Sequence, residues 1–331
     1  MSRLLFASAL VCLCTFWLPS ASQQTAPAGS STQVREHRVP VGGAELYARE
    51  VGSGTAIIIL HGGPDFDQSY LLPEMDRFAD FYRLIYYDQR GRGRSAEHVR
   101  PEDVTLASDI DDLDKVRQYF HLESVVLLGH SWGTVLALEY AIQHPERVSQ
   151  LILMNPAPAS TADFSELKRE WAVKRHDDVE RKKAIASTPE YINGDPEAVT
   201  AYYRVHFKTG LAKPEDYEKM VARFHSSFTK EGVLKARAVE AHLMTETYSL
   251  PSFDLLPQFK SLRIPTLVIT GDHEFIPAST AEHITNSIPG ARMITLKLCG
   301  HFSYLESPAE VRAAVNSFLP SPQKTIRHRG D

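Results

Sequence analysis

The sequence predicts an α/β protein whose largely parallel sheet is covered by helices on both faces, and three observations carry that prediction. Six short apolar runs, rich in Val, Ile, Leu and Tyr, recur along the 331 residues, and most do not alternate with polar residues. A strand buried on both faces reads that way, whereas a strand with one wet face alternates. Helix-like segments separate these runs through most of the chain, the pattern of a doubly covered sheet. Between about residues 156 and 255 the rhythm stops: the stretch is charged and helically spaced, holds Trp171, Tyr202, Tyr203 and Phe207, and has no strong strand run. It reads as a set of helices inserted between two halves of one sheet. A hydrophobic content of 43% with 23% charged residues suffices for a sizeable core.

Taken in order, the chain begins with Arg3, an apolar run from Leu4 to Leu18 and small residues up to Ser22. A basic start, a short apolar segment and a small-residue cleavage site make residues 1–22 a secretory signal peptide, which predicts a secreted or periplasmic protein. An uncleaved anchor is the other reading, although the run is short for a bilayer span. Cys12 and Cys14 leave with the signal, so a mature chain holding only Cys299 has no internal disulfide. Residues 23–34 are a polar linker, and residues 35–155 the first half of the core. There "VREHRVPV" and "AELYAREV" alternate around Gly42 and Gly43 as a hairpin. The runs "TAIIIL" (55–60), "RLIYYD" (83–88), "SVVLLG" (124–129) and "QLILMN" (150–155) follow. Between the second and third, Leu106, Ile110, Leu113, Val116 and Phe120 recur three or four apart as one helical stripe. The inserted helices occupy 156–255. The second half, 256–320, supplies "PTLVIT" (265–270), "RMITLKL" (292–298) and a last helix starting at Ser307 and Pro308. A polar tail, 321–331, ends the chain.

Chemistry concentrates at the ends of these runs. "GHSWGT" follows the strand "SVVLLG" and precedes the helix-like "VLALEYAIQHPE", and it fits G-x-S-x-G with Gly129, Ser131 and Gly133. A sharp strand-to-helix turn holds such a serine in a strained conformation, and side chains at the flanking positions would collide with backbone. Ser131 is therefore the candidate nucleophile, with the free N–H groups of a helix start beneath it. A hydroxyl needs a base, and His301 lies in "LCGHFSYLESP" after the last strand run and before the last helix. Nucleophile, acid, histidine is the chain order expected on this kind of sheet. His130 adjoins the nucleophile, so a sharp turn points its side chain elsewhere. His61, in "LHGGP", ends a strand where backbone serves better as an oxyanion donor. The donors expected are the N–H groups of Trp132 and Gly63. Two carboxylates, Asp272 and Glu274, share the loop "GDHEFIP", and nothing local chooses between them.

Together "HGGPDFDQSYLLPEMD", "YYDQRGRGRS", "GHSWGT", "GDHEFIP" and "GHFSYLESP" resemble the α/β-hydrolase fold. More narrowly they resemble the proline iminopeptidase branch of serine peptidases and its esterase-like relatives, over about residues 40 to 320. The resemblance implies an eight-stranded, mostly parallel sheet with a helical cap, and no metal or organic cofactor. It also implies an acid three residues after Gly271, which is Glu274, with Asp272 as the alternative. A carboxylate one methylene longer than aspartate still orients a histidine.

On this reading Ser131 attacks a carbonyl, His301 takes its proton and passes it to the leaving group, and Glu274 holds the imidazole. The resemblance implies release of N-terminal proline, with the free amine held by glutamates; Glu240 and Glu246 are candidates, and the substrate-binding residues stay unassigned. A carboxylesterase or lactonase acting on small esters is the alternative. A non-catalytic binding protein on the same fold is expected to lack Ser or His, and neither is missing. Asp65 stands where the family's "HGGPG" ends in glycine, either as a carboxylate at the pocket rim that attracts an amine or as a solvated loop residue. Arg90, Arg92 and Arg94 read as partners of acids such as Asp88 rather than as a phosphate site, and Cys299 as a small buried residue. A net charge of −5 gives no reason to expect nucleic acid or an anionic membrane as partner. The partner expected is a small molecule or a short peptide.

Overall fold

The computed structural model describes residues 33–319. The signal peptide expected over residues 1–22, nearly all of the expected linker and the tail of 321–331 lie outside the described residues. Eight strands form one sheet in the order β1-β2-β4-β3-β5-β6-β7-β8. The hairpin of β1 (Arg35–Val41) and β2 (Ala44–Gly52) turns at Gly42 and Gly43, with Val41 facing Ala44, and β2 pairs antiparallel with β4 (Tyr82–Tyr87). From β4 onward every pairing is parallel: β3 (Thr55–Leu60), β5 (Val125–His130), β6 (Val148–Met154), β7 (Thr266–Gly271) and β8 (Arg292–Leu296).

The non-alternating runs have the reason expected of them. Ile58 and Leu60 of β3 and Val125 and Leu127 of β5 join one buried cluster, while Ile57, Ile59, Val126 and Leu128 join a second. Opposite faces of one strand thus enter separate apolar layers, and each fully buried side chain is worth about 1.5–3 kcal/mol. Helix α1 (Leu106–Tyr119) begins in a capping box, Thr105 accepting from the Ser108 N–H and Ser108 answering to the Thr105 N–H. Its stripe of Ile110, Leu113 and Val116 is buried in the first layer with α2 (Trp132–Gln143).

Between β6 and β7 the chain is helical: α3 (Thr161–Lys174), α4 (His176–Ala186), α5 (Pro189–Ile192), α6 (Pro196–His206), α7 (Pro214–Ser227), α8 (Lys230–Glu246) and α9 (Leu256–Phe259). Their aromatic residues Tyr203, Phe207 and Phe224 bury in the second layer beside Phe66 and Phe302, so these helices lie over the carboxyl ends of the strands. Helices α10 (Ala278–Ser287), α11 (Ser303–Glu306) and α12 (Pro308–Phe318) complete the second half. Ser307 stands at the start of α12 with Pro308 after it, yet its side chain makes no capping hydrogen bond. Among the described residues no helix is long and apolar enough to cross a membrane.

Candidate active site

Ser131, Glu274, His301 and Gly63 each stand past the carboxyl end of a parallel strand, where ligands bind in sheets of this kind. Ser131 follows β5 and opens α2 with φ +52°, a conformation that a non-glycine residue adopts only under constraint. Its neighbours supply the constraint. The Ser131 N–H donates to Met154 O, while the Ser131 carbonyl accepts from the N–H and the hydroxyl of Thr134 and from the Ala157 N–H. The flanking glycines are steric necessities: a Cβ on Gly129 would lie 2.4 Å from Gly133 O, and one on Gly133 would lie 2.2 Å from Leu60 O.

His301 follows β8, buried at 2% exposure, and its Nδ1 lies 2.9 Å from Glu274 Oε1 and 3.0 Å from Oε2. That contact puts the ring proton on Nδ1 and leaves Nε2 as the basic nitrogen. Glu274, in the loop after β7, is held on both oxygens. Oε1 accepts from the Phe275 and Ile276 N–H groups, and Oε2 from Asn155 Nδ2 at 2.8 Å. Asp272, its sequence rival, faces outward to His273 Nδ1 at 2.7 Å and Lys297 Nζ at 3.6 Å. The His301 loop is tied to the inserted helices by its own N–H, which donates to Gly210 O at 2.7 Å.

The other two histidines are structural. Burial pulls His61 down to about 3, and its ring accepts from the Gln89 N–H through Nε2. His130 is held well below its ordinary value by burial and then by the charge of His301. The Gly62 N–H donates to the Tyr70 hydroxyl, that hydroxyl donates to His130 Nδ1, and His130 Nε2 donates to the His301 carbonyl. This chain of bonds joins the loop after β3 to the loop after β8 beneath the nucleophile.

Ser131, His301, Gly63 and Trp132 line one cavity of about 340 Å³, walled by aromatic residues of the inserted helices and of the β7 and β8 loops. The Trp132 amide opens α2, where no preceding turn can accept its N–H. Gly63 turns into the cavity with φ +125°. Two carboxyls share the space, Asp65 from the loop after β3 and Glu240 from α8. Burial, then the charge of Asp65, pushes Glu240 up to about 8, and burial also raises Asp65, which accepts from the Tyr203 hydroxyl. Asp65 is therefore a cavity residue and not a solvated loop residue. Behind the wall Lys182 lies 2.6 Å from His206 Nδ1 and stacks over Tyr202, its ammonium pulled down to about 8 by burial and then by Arg175. Glu246 is elsewhere: its Oε2 accepts from the Leu106 N–H at the start of α1.

The three arginines of "RGRGR" pair with acids, Arg90 with Asp112, Arg92 with Asp109 and Arg94 with Asp88. Cys299 is fully buried, and burial pushes its thiol up to about 12. Among the described residues no group of three or more His, Cys, Asp or Glu side chains is placed to hold a metal ion. Sequence reasoning does not single out Asn155 or Tyr70. Asn155 carries a faint signal, a polar residue closing an apolar run; Tyr70 carries none.

The alpha/beta hydrolase fold family matches residues 55–308, and the chain belongs to that family. Within it the chain is a hydrolase resembling proline iminopeptidases. The proline iminopeptidase of Saccharolobus solfataricus is 26% identical over 304 residues, which cover 88% of this chain and 94% of the relative. Among solved structures, the proline iminopeptidase of Mycobacterium smegmatis superposes with a TM-score of 0.63 at 24% identity, covering 86% of this chain and 97% of that one. An N-acyl homoserine lactone degrading enzyme superposes with a TM-score of 0.64 at 19% identity, covering 86% and 100%. At such identities the two structures speak for the fold alone.

Proposed function

We propose that the chain is a serine hydrolase working through an acyl-enzyme, and that it is an aminopeptidase of the proline iminopeptidase type, releasing N-terminal residues from peptides. The observation that carries the mechanism is the grip of Glu274 on His301 Nδ1, in the cavity where Ser131 sits on a strained turn. With its proton on Nδ1, His301 accepts the Ser131 proton at Nε2 as Oγ attacks the carbonyl, then delivers it to the leaving amine. Glu274 fixes the tautomer and stabilises the imidazolium. The N–H groups of Trp132 and Gly63 receive the oxyanion, a contribution of about 3 kcal/mol for each donor. Water then attacks the acyl-enzyme by the reverse path.

The peptidase reading rests on Asp65 and Glu240. Two carboxyls in an aromatic cavity suit a substrate whose one charge is an ammonium near the scissile bond, and the similarity to proline iminopeptidases supports it. A second reading has its own observation. Glu240 at about 8 is largely protonated at neutral pH, which removes one charge from an aromatic cavity and suits it better to a small ester or lactone. Assay of the purified protein with proline arylamide and with a short-chain acyl ester separates the two. Turnover of both, with preference for the arylamide, is expected; hydrolysis of esters alone removes the peptidase reading. Ser131→Ala is expected to abolish both activities and labelling by a fluorophosphonate, and unchanged turnover refutes the mechanism. We also propose export through the segment of residues 1–22, which a mature N-terminus near residue 23 on the secreted chain tests.

A further inference from the structure

We propose that Asn155 is a positioning residue for the acid, locked by Ser303, and that the pair of them makes a glutamate serviceable in this site. The inference rests on the assignment of Ser131, His301 and Glu274 as the reacting set. A glutamate carries one more rotatable bond than an aspartate, so its carboxylate wanders further unless something outside its own loop holds it. Asn155 supplies that hold from the end of β6. It is fully buried, and its φ of +48° is a conformation that asparagine tolerates better than most residues.

The amide's orientation follows from its partners. The Glu274 carboxylate and the Gly300 carbonyl can only accept, which makes the atom facing them the NH2 group, and the Ser303 hydroxyl donates to the other atom, Oδ1, at 2.6 Å. Both of its hydrogens are then used, one on Glu274 Oε2 at 2.8 Å and one on the Gly300 carbonyl at 2.9 Å. Gly300 directly precedes His301, so one side chain holds the acid and the base's own loop in a fixed relation. Ser303, itself fully buried, comes from the first turn after that loop and anchors the oxygen end of the amide, while the acceptors at the other end oppose a flip. A flipped amide would set its oxygen against the Glu274 carboxylate. The group touches neither cavity nor nucleophile, so its effect passes through Glu274 to His301.

Three variants, Asn155→Leu, Ser303→Ala and their combination, test this on an activated acyl ester, with Glu274→Gln as the control. Removing such a supporting contact is expected to lower kcat about 10- to 100-fold for Asn155→Leu. KM should stay within about twofold, because the cavity lining is untouched. The acid limb of the kcat/KM profile should move to lower pH, since a loosened carboxylate stabilises the imidazolium less. Ser303→Ala should give a smaller loss of the same kind, and the combination should be no worse than Asn155→Leu alone, because Ser303 acts through Asn155. If Asn155→Leu does not fold, Ser303→Ala carries the test by the same kcat and pH readouts. A folded variant with unchanged kcat and pH profile, and only a lower Tm, overturns the inference while a dead Glu274→Gln keeps the triad. A fully active Glu274→Gln overturns the triad, and this inference with it.

Discussion

Glu240 sits in the cavity as a carboxyl pushed up to about 8 from an ordinary 4.5, first by burial and then by the charge of Asp65. Between those two values the folded chain holds a proton that the unfolded chain has released. Stability from this group is therefore fully present below about 4.5 and is lost as pH rises through about 8. Each pH unit in that window is worth up to about 1.4 kcal/mol, so the wild-type chain loses about 2 kcal/mol between pH 6 and pH 8 on account of this one group. Glu240→Gln removes the dependence, and its Tm relative to wild type should rise over that range by on the order of 4 °C. Recognition runs the other way. An ammonium needs the charged carboxylate, which is scarce at pH 6 and half-formed at pH 8, so the KM for proline arylamide should fall on the order of tenfold from pH 6 to 8. The KM of a neutral ester should stay flat. In Glu240→Gln the arylamide kcat/KM should drop about 10- to 100-fold at pH 8, the worth of a hydrogen bond to a charged group, with the ester little changed. Arylamide kinetics that Glu240→Gln leaves intact at pH 8 would refute the amine subsite. A Tm difference that does not grow with pH would refute the account of the buried carboxyl.

Glu274→Gln keeps the shape and removes the charge facing His301, and a loss of kcat of about 10⁴-fold is expected from the tautomer it permits, whereas Asp272→Asn should stay within about twofold in the same ester assay. Equal losses from the two would mean that the acid is shared between them. Arg92→Met should cost about 3–5 kcal/mol in urea unfolding, because it strands Asp109, 1% exposed, without its partner and frees the Pro64 carbonyl beside Gly63. A loss below about 1 kcal/mol would show that water replaces the guanidinium.

How much of this was legible follows from where each constraint lives. The strands could be read because burial on both faces forces an unbroken apolar run, a signal contained in the run itself. Where burial stops the signal misleads: "RMITLKL" reads as strand through Leu298, yet β8 ends at Leu296, and Leu298 turns outward at φ +51° with 65% exposure. Ser131 and His301 could be singled out because the turn that presents each is written in adjacent glycines and in chain order. The choice between Glu274 and Asp272 has no such local record. Both follow β7 within three residues of its last glycine, and both side chains are long enough to turn in or out. What separates them is a set of donors met only in three dimensions: Asn155 from β6, locked by Ser303 from α11, and the N–H groups of Phe275 and Ile276. The same holds for Asp65 and Glu240, which come from opposite halves of the sequence into one cavity. A carboxylate in solution is indifferent to its place in the chain, and it acquires a role when donors and low-dielectric walls converge on it. Such convergence is a property of the packed sheet and its covering helices, which is why the sequence offers Glu274 only through a family resemblance, and Asp65 and Glu240 only as candidates, while the turn that presents Ser131 is written in its own residues.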